Sequence, residues 1–224
     1  MKSTQLTFVI VLMLFLDGSC QNVEKPVNLT IMTFNTWISG DNVLGGMLKI
    51  VKHIKLIDPD IVALQEVQDS DRLNYLIKEL GDGWTGAITS YSYSDTAVLT
   101  KHELINQSFH QVTHGMSIKV KIENTNRTIN IWNLHLDYRS YGPYAAFNKM
   151  VTKITQIMAG EMVDGKGRFQ NMRELLVDDH FQAAVANSSV EPLIVCGDFN
   201  SPSHLDWTNE TRLKNFKKME IHTT

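Results

Sequence analysis

Residues 61–66, Ile61-Val62-Ala63-Leu64-Gln65-Glu66, form a short apolar run that ends in a polar pair. A run of this length with no alternation reads as a strand buried on both faces. Its flanks support that reading. Upstream, residues 44–57 place Met47, Ile50, Val51, Ile54 and Ile57 on one helical face, with Lys49, Lys52 and His53 opposite, and Asp58-Pro59-Asp60 stops the helix. Downstream, Asp69 or Ser70 caps a second helix, in which Leu73, Leu76, Ile77 and Leu80 repeat at helical spacing before Gly81 ends it. A buried strand between two amphipathic helices belongs to an α/β architecture.

The same arrangement, an apolar strand ending in polar or acidic residues, recurs in three other segments. They are Ile31-Met32-Thr33-Phe34-Asn35, Trp132-Asn133-Leu134-His135-Leu136-Asp137 and Ile194-Val195-Cys196-Gly197-Asp198-Phe199-Asn200. Adjacent buried strands bring their carboxyl ends to one edge of a sheet, where polar groups converge on a ligand. Carboxylates brought together there repel unless a cation lies between them. Oxygen donors of this kind suit Mg²⁺, Mn²⁺ or Ca²⁺ rather than zinc. A divalent ion held this way neutralises phosphate charge, while imidazole and amide groups donate hydrogen bonds to phosphate oxygens. Taken alone, Glu66 reads as a strand-end acid facing solvent, His135 as a structural histidine, and Asp198 with Asn200 as an Asx turn. Four such segments together point to a shared site.

Between these segments, strands are predicted at 86–91, 96–100 and 104–113, with a hairpin over 116–123 and 128–136. Pro143 starts a predicted helix carrying Phe147, Met150, Val151, Ile154, Ile157 and Met158 on one core-facing side. A further helical segment covers 169–186, and Cys196 reads as a small buried hydrophobe. His53, His102, His110, His114 and His180 show no metal-binding spacing.

Composition narrows the class. The chain of 224 residues is 43% hydrophobic and 20% charged, with a formal charge of −3, so one large core is expected and a basic nucleic-acid-coating protein is excluded. Two cysteines cannot build a disulfide framework. The one long apolar run, Leu6–Leu16, follows Lys2 and precedes Ser19-Cys20, the pattern of a signal peptide over residues 1–20, and it is too short to span a bilayer comfortably. No stable membrane span is expected. Sequons at Asn28, Asn106, Asn126, Asn187 and Asn209 agree with a secreted, N-glycosylated chain, each expected near a strand or helix end.

The segments TFNTW, ALQEV, NLHLDY and GDFNSP, in that order, resemble the endonuclease/exonuclease/phosphatase superfamily of deoxyribonuclease I-like fold over residues 27–207. The resemblance implies a four-layered α/β sandwich in a domain spanning 25–224, and Mg²⁺- or Mn²⁺-dependent hydrolysis of a phosphodiester or phosphomonoester. It implies Glu66 as principal metal ligand with Asn35 orienting it, and His135 hydrogen-bonded to the phosphate. Asp198 would orient or activate water, and Asn200 would hold phosphate or water. Asp137 would brace the following loop, and Arg139 is a candidate phosphate contact. The substrate class, whether nucleic acid, nucleotide or lipid headgroup, stays open, as does the oligomeric state. Family members usually end in a further strand and an Asp-His pair. Here Ile221-His222-Thr223-Thr224 follows instead, and His204 lies within a loop. The expectation is therefore a domain incomplete at its C-terminus and lacking its last strands. Its alternative reading is an impaired fragment or pseudo-enzyme that keeps the scaffold.

Overall fold

The computed structural model describes residues 12–13, 26–90, 95–162, 166–203, 205 and 208. The expectations about the rest of the 1–20 leader, His204, Asn209, His222 and the terminal Asp-His pair lie outside those residues. Strand β2 (Thr30–Asn35) leads through a tight turn to helix α1 (Gly46–Ile57), then β3 (Ile61–Gln65) and α2 (Ser70–Leu80). Strands β4 (Thr85–Ile88), β5 (Thr96–Thr100), β6 (Glu103–Val112), β7 (Gly115–Lys121) and β8 (Thr128–His135) follow. Helices α3 (Gly142–Phe147), α4 (Ile154–Gly160), α5 (Arg168–Leu176) and α6 (Asp179–Ala186) precede β9 (Leu193–Asp198). A two-residue strand β1 (Leu12–Met13) lies antiparallel against Thr30 and Ile31 of β2.

Two sheets result, ordered β1-β2-β3-β5-β4 and β6-β7-β8-β9. Pairing is parallel for β2 with β3 and for β8 with β9; the remaining neighbours are antiparallel. The period-2 alternation of strands sorts side chains into layers. Met32, Leu64 and Leu99 face outward against Ile50 and Ile54 of α1 and Leu73 and Leu76 of α2. Ile31, Ile61 and Val98 face inward against Ile118, Ile129 and Ile131 of the second sheet. Trp132 and Leu134 point to the far side, against Leu175 of α5 and Phe181 and Ala184 of α6. The order helix, sheet, sheet, helix is the four-layered α/β sandwich expected. Each fully buried Ile or Leu contributes about 1.5–3 kcal/mol relative to exposure.

A buried polar tie crosses the apolar interface between the sheets. Asn133, fully buried, accepts from Gln65 Nε2 at 2.7 Å and donates from Nδ2 to the carbonyls of Leu64 (2.7 Å) and Ala97 (2.9 Å). A satisfied buried amide fixes register, whereas an unpaired partner costs about 1–3 kcal/mol. It sits one position from Glu66 through Gln65 and two from His135, so it sets the spacing of the site across the sandwich.

Three expectations need correction. The helix predicted from Pro143 through Met158 breaks after Phe147: Lys149 takes a left-handed φ of 57° and the Asn148 amide bonds back to the Tyr144 carbonyl. Gln156 Oε1 then accepts from the Thr152 and Lys153 amides and starts α4. The apolar face is not core: Phe147, Met150, Ile154 and Met158 are 57%, 66%, 69% and 52% exposed. The segment 169–186 also divides, because Asp178 accepts from the Phe181 amide and caps a second helix. Asn106 lies within β6, at the register irregularity between Ile105 and His110, not at a strand end. Asn28, Asn106, Asn126 and Asn187 are all exposed.

Candidate active site

Parallel pairing sends the ends of β2 and β3, and of β8 and β9, to one edge of the sandwich, with His135 in register with Asp198. Asn35 Nδ2 donates to Glu66 Oε1 at 2.9 Å and to Asp198 Oδ2 at 3.0 Å, so a single amide touches carboxylates from both sheets. Glu66 Oε2 accepts from the Ile38 amide at 2.8 Å, and Asn35 Oδ1 from the Trp37 amide at 2.9 Å.

The turn after β2 is made for these contacts. Trp37, Ile38 and Ser39 take φ of 49°, 56° and 53°, consecutive left-handed residues without glycine, and Glu66 itself stands at 61°. Each costs about 1–2 kcal/mol. The bonds from the Thr36 amide to the Gln65 carbonyl and from the Ser39 amide to the Glu66 carbonyl, both 2.9 Å, hold the turn in place. Backbone strain held by side chains of a strand-end cluster belongs to a functional site.

Sequence reasoning assigned Asp95 no role. Because β5 runs antiparallel to β3, its first residues arrive where the other strands end, and Asp95 Oδ2 lies 2.6 Å from His135 Nδ1. Burial alone would lower the proton affinity of His135. The hydrogen bond and charge of Asp95, with the charges of Asp198 and Glu66, reverse that and raise its pKa above the ordinary imidazole value. Asp95 fixes Nδ1, so Nε2 is the nitrogen left for a ligand.

Asp198 Oδ1 accepts from the Asn200 amide at 2.8 Å, and Asn200 Nδ2 donates to the Leu136 carbonyl at 2.9 Å. Asn200, at φ 46°, thus ties the end of β9 to the end of β8. Asp137 pairs with Arg139 through both carboxylate oxygens, and the guanidinium holds its pKa below the usual range. Buried Arg168, also unforeseen, donates to the carbonyls of Asp137, Arg139 and Ser140 and pairs with Glu161. The loop after His135 is therefore built as a brace. Cys196 packs beside the core; although the residue is only partly buried as a whole, desolvation pushes its thiol pKa to about 12, which makes it inert.

The carboxylates of Glu66 and Asp198 fit a hard divalent cation: oxygens from both sheets converge, oriented by the Asn35 amide, with no thiolate and no imidazole among them. Elsewhere, His110, Asp178 and His180 converge, although their sequence spacing gives no hint of it beyond Asp-x-His at 178–180. Among the described residues no helix is long and apolar enough to cross a membrane.

With a strand-end cluster of this chemistry on a four-layered sandwich, the chain belongs to the Endonuclease/Exonuclease/phosphatase family, whose sequence profile matches residues 32–216. Family members are phosphoesterases and nucleases, generally dependent on a divalent metal. A Caenorhabditis elegans relative, uncharacterized protein F14F9.5, is 41% identical over 208 residues, which are 93% of this chain and 64% of the relative, so this chain spans under two thirds of its length. Among solved structures, ANGEL2, a 2′,3′-cyclic phosphatase, superposes with a TM-score of 0.50 at 18% identity, covering 79% of this chain and 54% of that one. Truncated C. elegans TDP2 gives a TM-score of 0.49 at 19% identity, covering 81% and 65%. At these identities the likeness to ANGEL2 speaks for the fold alone.

Proposed function

We propose that this chain is a secreted, Mg²⁺-dependent (or Mn²⁺-dependent) hydrolase of phosphodiester bonds. The observation that carries the reading is the Asn35 amide joining Glu66 and Asp198 beside the Asp95-braced His135. Glu66, oriented by Asn35, would hold the metal, which when bound supplies positive charge opposite the scissile phosphate. Asp198 accepts a hydrogen bond from water and orients it in line with the leaving oxygen. His135, whose proton affinity Asp95 raises, donates from Nε2 to a non-bridging oxygen and stabilises charge as the P–O bond to water forms and the P–O bond to the leaving group breaks. Asn200, Asp137 and Arg168 hold the loops that carry these groups.

Small phosphodiesters, such as nucleotide and headgroup diesters, fit better than a long duplex, because the net charge of −3 gives no general attraction to a polyanion. Secretion is supported by the apolar leader and by the exposure of Asn28, Asn106, Asn126 and Asn187.

The test is turnover of a chromogenic phosphodiester, a chromogenic phosphomonoester, RNA and plasmid DNA by the purified chain, each with Mg²⁺ and with EDTA. Mg²⁺-dependent diester cleavage abolished by Glu66→Gln is expected. Metal binding without turnover of any substrate would overturn the reading in favour of a pseudo-enzyme. An enzymatic deglycosylation shift of secreted protein checks export.

A further inference from the structure

A second cluster of metal-ligating side chains lies at the junction of β6 and α6, on the face of the second sheet that α5 and α6 cover. His110 Nε2 is 2.9 Å from Asp178 Oδ2, and the rings of His110 and His180 stack at 3.8 Å with 20° between planes. One nitrogen from each imidazole and one oxygen of Asp178 lie within 4.8 Å of one another. The roles of Asp178 are divided by atom: Oδ1 accepts from the Phe181 amide and caps α6, while Oδ2 turns to the histidines.

The placement has no catalytic use in the reaction above. It also differs in chemistry from the strand-end site, with two imidazoles and one carboxylate in place of converging carboxylates. Borderline cations such as Zn²⁺ take this donor set, at about 2.0–2.1 Å from nitrogen, which puts tetrahedral ligand atoms roughly 3.3 Å apart. Binding requires the stacked rings to turn so that one nitrogen of each meets the Asp178 carboxylate around the ion. His110 and Asp178 are partly buried and His180 exposed, so an ion enters from solvent.

We infer that His110, Asp178 and His180 bind a Zn²⁺-class ion that clips the N-terminus of α6 to β6, as a structural site separate from the phosphoesterase centre. Such an ion stabilises the folded chain by mass action and takes no part in hydrolysis.

The experiment titrates the EDTA-stripped, dialysed full chain with Co²⁺ in excess Mg²⁺, reading the visible absorption of four-coordinate Co²⁺ and its displacement by Zn²⁺. Wild type is expected to bind one equivalent and to melt at higher temperature with Zn²⁺. His110→Gln and His180→Gln should each weaken binding by more than about tenfold, since even outer partners of metal ligands are worth that much. Glu66→Gln and His53→Gln should retain it. Circular dichroism of the variants without metal separates lost binding from lost folding. Absence of the signal in wild type, its survival in the doubly substituted chain, or its loss in Glu66→Gln would each overturn the inference.

Discussion

His135 and His110 each sit against an aspartate, at 2.6 Å from Asp95 and 2.9 Å from Asp178, yet their surroundings give the two pairs opposite tendencies. Around His135 the further charges are carboxylates, Asp198 and Glu66, and they favour a retained proton. Around His110 the further neighbour is another imidazole, His180, stacked at 3.8 Å. The first pair faces the strand-end carboxylates, and the second adds a further metal-ligating side chain, His180, to its own pair. A histidine–aspartate contact alone specifies neither, so the third neighbour decides the chemistry.

The largest expected effect separates the pairs directly. His135→Ala should lower kcat/KM for the diester by about 10²–10⁴-fold, the usual worth of a positioned proton donor. His110→Gln should leave it within about twofold, because His110 points into the helix-covered face. Equal losses in the two variants would collapse the distinction.

Asp95→Asn comes next, with a loss of about 10–100-fold, as for other residues that orient a functional imidazole. The carboxylate raises the His135 pKa, so its removal lowers it. The alkaline limb of the kcat/KM profile, where His135 loses its proton, should then move to lower pH. An unmoved limb would mean that His135 does not act as the protonated donor. A smaller effect is expected at the other pair: Asp178→Ala should cost about 1 kcal/mol of stability through the lost cap, read as a fall in Tm in metal-free buffer. Asp178→Asn should restore most of it, since asparagine caps equally well, without restoring Zn²⁺ stabilisation.

What could be read from the sequence follows the same division. Asn35, Glu66, His135 and Asp198 were legible because each closes an apolar strand, and parallel neighbours must deliver such residues to one edge. The role of Asp95 was not, because it opens its strand, and only the antiparallel pairing of β5 with β3 sets it against His135. His110 and His180 stand 70 positions apart on a strand and a helix, and nothing local joins them. Helix α1 and the segment from Pro143 showed the same kind of apolar stripe. Ile50 and Ile54 found a sheet to cover, whereas Ile154 and Met158 remain exposed. Periodicity describes a face, and what packs against it is decided by the rest of the chain.

The smallest effect concerns stability at the catalytic pair. A folded-state pKa above the unfolded value means that the His135–Asp95 interaction stabilises the fold fully below the unfolded pKa of about 6.5, while Asp95 stays ionised. That contribution is lost as pH rises through the raised folded value. Asp95 is 42% exposed, so solvent screening holds the effect to less than about 1 kcal/mol. In EDTA, the Tm gap between wild type and Asp95→Asn should therefore be widest near pH 5.5 and narrow as the solution becomes alkaline. The sign is opposite to that of a depressed carboxylate, whose contribution would disappear on acidification instead. A gap that stays constant from acid to alkaline pH would show that Asp95 holds His135 in place without favouring its protonated form, and would leave the contrast with His110 resting on geometry alone.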